Sequence, residues 1–422
     1  MPMLLGTKGG DILEWRASAE LLANLKQRLA GKWGRSSARE AEEFLKGLVV
    51  SLDEELCYES QLEEELSSLQ KAVEGARRAC ELASLQARHR EVVSAHFSRR
   101  SSVLALCSAG NRLHDALLTR AAQLAEERML ELGQGSAPVY ALLASGDRGR
   151  GEETLYSKNR YILLHELDSP RFFLFSHQLF AVLKEAGVLD GESALWHGSL
   201  AEWRTLLKGG GRRTGSAEQG LAPLPPFATP ARQGPASAPE WEWRLEAMAD
   251  LCFVAGFEPL ARQAMAASAS AVKEQKNRDP FFQLARRVIH LPLALGHFGR
   301  WRLERDGEHK GEIDVERLAL SPMVTAIRVL AVHAGVHEGG TLQRVRELLY
   351  KGALDVDLAE RLLKAFQCLM QLRIESEIRA EQPGAFVNPE EFTLEQDARI
   401  RSSVESVLSL QKIAYQSMVG KV

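Results

Sequence analysis

The sequence predicts an α+β protein that is predominantly helical, with a small mixed sheet between an N-terminal helical region and a C-terminal helical bundle. Three observations carry this expectation. Residues 10–132 contain no proline and few glycines, apolar runs of strand length cluster between residues 137 and 175, and helical periodicity returns from residue 240 to the end.

The chain has 422 residues, 45% hydrophobic and 26% charged, enough for two or three domains with ordinary cores. Its formal net charge of -3 provides no basic excess to hold a phosphate backbone, so nucleic acid is not an expected partner. The opening MPMLLGTKGGDILEW is broken by Gly and Asp, and no run reaches about 18 apolar residues. Neither a signal peptide nor a membrane span is expected, and the cytoplasm is the expected compartment. Cys57, Cys80, Cys107, Cys252 and Cys368 are scattered without a CxxC spacing, which suits reduced thiols. His333 and His337 stand four apart, but Gly335 lies between them and no acidic third ligand has a recognisable spacing, so no metal site is expected there.

Three regions are expected: 1–109, helical; 110–265, carrying the sheet; and 266–422, helical again. In the first, Leu62, Leu66, Leu69, Val73, Ala76, Cys80, Ala83 and Ala87 recur at steps of four and three, the seam of one long helix. Such a seam serves an intramolecular bundle or a homodimer. In the second, residues 137–143 read as a strand that runs into SGDRGRGEE, and 161–164 and 172–175 read as two further strands around an Asp-Ser-Pro turn. Residues 209–239 are too rich in Gly, Pro, Ala and Ser to bury a core and read as a flexible insertion. The third region is interrupted by RDGEHKGEID at 305–314 and by QPGAFVNPEE at 382–391, while Leu358, Leu362, Phe366, Leu369 and Leu372 form an amphipathic core stripe.

The informative constellation is a strand, a Gly-rich turn, then Glu152, Thr154 and Ser157 before another strand. Glycines let backbone N–H groups converge on an anion, most often phosphate, although the same pattern also serves as an ordinary turn. Here ALLASGDRGRGEETLYSKNRYILLHE resembles the signature of the PII-uridylyltransferase-like nucleotidyltransferases of the DNA polymerase β superfamily. That signature reads Gly-Ser-x-Gly-Arg-x-Glu-x-Thr followed by Thr-Asp-x-Asp. Gly146, Gly149, Arg150, Glu152, Thr154 and Leu155 match it, and Ser157 stands for the second Thr. The likeness extends upstream through RLHDALLTRAAQLAEER and downstream through SLAEWRTLL at 199–207 and Asp250, Leu251, Val254 and Gly256, the last group resembling the strand that supplies a third carboxylate. From residue 280 on, LERDGEHKGEIDVERL, IRVLAVHAGV, TLQRV, AFQCLMQLRIESEI and NPEEF are similar to the helical substrate-binding domain of the same family.

The resemblance implies two Mg²⁺ ions held by carboxylates at alternate positions of a strand. In this chain those positions are Lys158 and Arg160, the family Ser is Asp147, and the Arg expected two residues after Asp250 is Cys252. No catalytic residue and no cofactor is therefore expected; Mg²⁺ belongs only to the rival reading of a working transferase that modifies a protein. The expected phosphate-binding set is Gly146, Asp147, Gly149, Arg150, Glu152, Thr154, Ser157, Lys158 and Arg160, cations standing in for metal. The expected cleft for substrate or partner is Arg305, His309, Lys310 and Asp314. The function expected is that of an impaired transferase acting as a regulator or scaffold, binding a protein and, without metal, a nucleotide; an oligomeric helical scaffold is a third reading.

Overall fold

A computed structural model of the chain describes residues 38–157, 159–166, 169–189, 195–207, 249–275, 290–296, 299–336 and 339–419. Lys158, His337 and the insertion expected at 209–239 lie outside these. The chain forms two compact units, Met1–Ser68 and Leu69–Val422.

The first helix, α1, is Ala38–Gly75, and in the first unit its Val49, Val50 and Leu56 are exposed. The single long seam is corrected by a break after Gly75. A new helix, α2, spans Ala79–Arg100, and the Glu81 carboxylate accepts the Arg77 backbone N–H at 2.8 Å to cap its start. The break resets the helical phase. Leu69 and Val73 are buried before it, and Ala79, Leu82, His89 and Val93 after it, whereas Cys80 and Ala87 of the expected seam are exposed. Helix α3, Val103–Glu131, opens on the side chain of Ser102, which accepts the Ala105 N–H, and buries Leu106, Leu113, Leu117 and Ala121.

A four-stranded sheet follows, in the order β3-β2-β1-β4. The fully buried β1 (Tyr140–Ser145) pairs antiparallel with β2 (Arg160–His165) and with β4 (Cys252–Gly256), while β3 (Leu195–Ser199) runs parallel to β2. Residues 172–175 form no strand. They belong to helix α5, Pro170–Glu185, whose N-cap Ser169 accepts the Phe172 N–H and whose Pro170 sits where a missing N–H costs nothing. Phe172, Phe175 and Leu179 then fall on one buried face, and apolar density read as strand is a helix packed on α3. The short α4 (Asp147–Arg150) lies between β1 and β2. After β3, α6 (Leu200–Leu207) and α7 (Glu258–Gln275) pack together, with the buried Trp203 indole donating to Ser268 at 3.2 Å.

Residues 304–314 fold back through turns at Gly307 and Gly311, and Ile313–Asp314 (β5) pairs with Phe386–Val387 (β6). A bundle of α8 (Ser321–His333), α9 (Thr341–Tyr350), α10 (Val356–Ala380) and α11 (Leu394–Val419) completes the chain. The stripe at Leu358, Leu362, Phe366, Leu369 and Leu372 is buried, as its period requires. No helix among the described residues is long and apolar enough to cross a membrane.

Candidate functional site

Sheet topology makes the site. Because β2 and β4 both run antiparallel to β1, the end of β1 meets the starts of the other two, and the register pairs Ser145 with Arg160. Gly146, Arg160 and Asp250, two residues ahead of β4, thus converge on one sheet edge. Gly146 takes φ 81° and ψ -140°, a backbone region that side chains with a Cβ avoid. A Cβ on Gly149 would overlap the backbone carbonyl of Asp250, so the turn needs glycine there for close approach.

The centre of this edge is an ion-pair network closed by the C-terminal helices. Asp250 has no exposed side-chain surface. Its Oδ2 accepts from Arg150 at 2.9 Å and from Arg328 Nε and Nη2 at 3.0 and 2.6 Å, and its Oδ1 accepts from Arg344 at 2.6 Å. Arg344 also donates to the Ala249 carbonyl at 2.5 Å. Burial opposes ionisation of Asp250, but the guanidiniums of Arg328, Arg150 and Arg344 outweigh it and hold the carboxyl well below the usual carboxylate range.

Asp147 is held in the same manner. It accepts from Arg150 at 2.5 Å, Ser157 at 2.9 Å and Arg373 of α10 at 2.8 Å, and these partners overcome burial to keep its carboxyl low. Arg150 spends its remaining nitrogen, Nε, on Glu152 at 2.7 Å, and Glu152 accepts in addition the Thr341 N–H at the start of α9. The Thr154 hydroxyl donates to Glu377 at 2.9 Å, and Glu377 receives Arg373 at 3.0 Å. Beside this network lies a cleft of about 140 Å³, lined by Asp147, Arg150, Glu152, Glu316, Arg328 and Arg373 among others.

The structure therefore gathers Asp147, Arg150, Glu152, Thr154 and Ser157 as a unit around Asp250, and places Arg160 at the adjoining strand start. Arg305, His309, Lys310 and Asp314 are not among the residues that line this cleft. His309 stacks on Phe386 with ring centroids 3.6 Å apart and pairs with Glu312 at 2.8 Å, and Asp314 pairs with Arg317 at 3.1 Å. Residues absent from the expected site do much of its work: Arg328, Arg344, Arg373 and Glu377. Their signal was present in the sequence, since Arg328 interrupts the otherwise apolar SPMVTAIRVLAV, and Arg373 with Glu377 sits one turn apart on a buried helix. A charge at such positions implies a buried counter-charge.

Residues 87–214 match the family described as "Putative nucleotidyltransferase DUF294", and residues 278–418 match the "Putative nucleotidyltransferase substrate binding domain". The chain belongs to this nucleotidyltransferase family. Within it, β1, the Gly146 turn and β2 lie in the transferase match, and Arg328, Arg344, Arg373 and Glu377 in the substrate-binding match, so the ion-pair network joins the two matched segments. No curated protein matches the chain.

Proposed function

We propose that this member of the nucleotidyltransferase family no longer carries out metal-dependent nucleotidyl transfer and acts by binding, in a regulatory or scaffolding role in the cytoplasm. The observation that carries the reading is Asp250: the carboxylate expected to serve a metal ion is fully enclosed, with both oxygens on guanidinium groups. Sequence supports it, because the paired ligand positions are Lys158 and Arg160. Two like charges about 4 Å apart repel by about 4 kcal/mol at an effective dielectric of about 20, and a divalent ion meets twice that from each cation. These donors do not fit the two divalent cations of the family's chemistry.

What remains is a concave polar cleft between two packed segments, the common place for a ligand. Its guanidiniums already face carboxylates, so a triphosphate there has to displace internal partners, whereas a protein segment bearing both signs of charge does not. A protein is accordingly the favoured partner. Nucleotide, bound without metal, is the weaker ligand, and nucleic acid and membrane are not partners. Homodimerisation through α1 is compatible with this reading, as Val49, Val50 and Leu56 are exposed. The test is incorporation of label from ATP, GTP, UTP or CTP into the protein or a candidate partner, with Mg²⁺ or Mn²⁺. Incorporation at the no-protein background is expected; incorporation above it that Asp250→Ala abolishes would restore the working transferase.

A further inference from the structure

Signs of charge are sorted by depth in the cleft of about 140 Å³. Arg150, Arg328 and Arg373 keep no more than 10% of their side-chain surface exposed. Arg150 and Arg328 donate inward to Asp250, and Arg373 donates to Glu377; neither acceptor is among the residues that line the cleft. Two carboxyls of the lining stand further out, Asp147 with 15% of its side chain exposed and Glu316 with 40%. A group arriving from solvent meets these carboxylates first, with guanidiniums behind them that are already engaged.

Asp147 and Glu316 are also close to one another. Both face Arg373, whose Nη2 donates to Asp147 at 2.8 Å and whose Nη1 stands 3.3 Å from Glu316, so one guanidinium spans the pair. Glu316 Oε2 is enclosed there, but its Oε1 accepts only the Ser321 hydroxyl, at 2.9 Å, and has a lone pair left. The backbone fixes this carboxyl at the cleft. The Val315 N–H donates to the Ala385 carbonyl beside the β5–β6 pair, and Glu316 opens a π-helical turn, Glu316–Leu320, that runs into α8. Such wide turns are rare and recur at functional sites.

These features select the side chain that fits. Leu320, Val324, Phe366 and Met370 are buried behind the charges, so an aliphatic or aromatic anchor finds little surface to cover. An acidic anchor meets Glu316 and Asp147 before it reaches a guanidinium. Of the two basic side chains, lysine carries a strongly hydrated point charge, whereas the guanidinium of arginine is weakly hydrated and its planar fork of donors can serve two carboxyls at once. The size agrees: a cavity of roughly 150 Å³ holds benzene, with about six non-hydrogen atoms, as many as a guanidinium and its two nearest methylenes. We propose that the cleft receives an arginine side chain of a protein partner, its guanidinium donating to Glu316 and Asp147. The proposal rests on the reading of the cleft as a site for protein and adds the residue type by which that protein is recognised; arginine is among the residues that most often anchor protein interfaces.

The test is a titration of the full-length protein with three short peptides, acetyl-Gly-X-Gly-amide with arginine, citrulline or glutamate at X. It is followed by the ¹³C-methyl NMR signal of Met370 in the cleft wall, assigned by its loss in Met370→Leu. Citrulline keeps the shape of arginine without its charge. A saturable shift with the arginine peptide is expected, with citrulline weaker by about tenfold, the scale of one charge-assisted hydrogen bond, and glutamate weaker still. Glu316→Gln, which keeps an acceptor for Ser321, should weaken the arginine peptide by about tenfold and leave the urea midpoint unchanged. Citrulline or glutamate binding as tightly as arginine, or an unchanged arginine affinity in Glu316→Gln, overturns the arginine anchor and leaves the cleft standing as a protein site. Silence of Met370 towards all three peptides overturns the anchor and that reading together. The selectivity among the peptides is read on the unaltered protein, so it decides the matter even if the Glu316 variant folds poorly.

Discussion

Towards the C-terminal helices, Asp250 is buried and Asp147 largely so, and yet both are held ionised, each between guanidiniums from Arg150 and from α8, α9 or α10. Towards α2 and α3, Glu153 is just as buried, and its carboxyl stays protonated up to about pH 8. Asp147 and Glu153 are only a few residues apart, both between β1 and β2. What differs is the supply of cations. Arg148, the nearest guanidinium to Glu153, keeps its Nε 4.0 Å away and commits its other nitrogens to Asp115 and Asn111. The cost of burying a charge is met on one side by pairing and avoided on the other by holding a proton. Pairing locks two distant segments together, whereas the Glu153 carboxyl keeps to Asn159 and His114 close by.

The comparison breaks most severely at its charged pole. Asp250→Ala leaves three guanidiniums facing one another and should destabilise the protein by about 3–5 kcal/mol in denaturant titration. A loss below about 1 kcal/mol would mean that these guanidiniums find water instead of one another. Because Asp147 and Asp250 titrate below their ordinary value of 3.8, their contribution is present above that pH and lost as pH falls through and below it. Gly149→Ala drives a methyl into the Asp250 backbone and should cost about 2–3 kcal/mol, the range of an overpacked core, with no change of charge.

At the neutral pole the pH dependence has the opposite direction. The native state keeps the Glu153 proton up to about pH 8 while the unfolded chain releases it near 4.5, so stability falls as pH rises through this window. Glu153→Gln removes that loss, and its advantage over the parent chain should widen between about pH 5 and pH 8 in urea midpoints. A constant difference would place an ionised carboxylate at position 153. The smallest effect is expected outside both poles: Lys310→Glu, on the turn between Gly307 and Gly311, should stay within about 0.5 kcal/mol by the same measurement.

Much of this frame was legible in the sequence, and the losses have physical causes. The first strand, expected at 137–143 and found at Tyr140–Ser145, the Gly146 turn and the stripe from Leu358 to Leu372 follow from period and turn chemistry, which are local properties. The phase reset at Gly75 was missed because apolar spacing continued on both sides of the break, and the helix at 172–175 because four apolar residues in a row carry no period. The loop half of the site was readable at Asp147, Arg150 and Glu152, whose identities stood in the family signature. Their partners are distant in the chain: Arg373 meets Asp147 across 226 residues, Arg150 meets Asp250 across 100, and only the packed bundle brings Arg328 and Arg344 onto that same Asp250. The proton on Glu153 was not legible for another reason: beside Glu152 it reads as one more carboxylate, and only burial without a close guanidinium makes it neutral.

The central claim is that Asp250 serves as an internal counter-ion for arginine and does not ligate metal. The most direct measurement is the ¹³C-carboxyl NMR signal of Asp250, assigned by its loss in Asp250→Asn, during titration with Mn²⁺ in the presence of ATP. The signal is expected to keep its position and width, since both oxygens stay on guanidiniums. Selective paramagnetic broadening of that resonance, saturating with Mn²⁺, would contradict it.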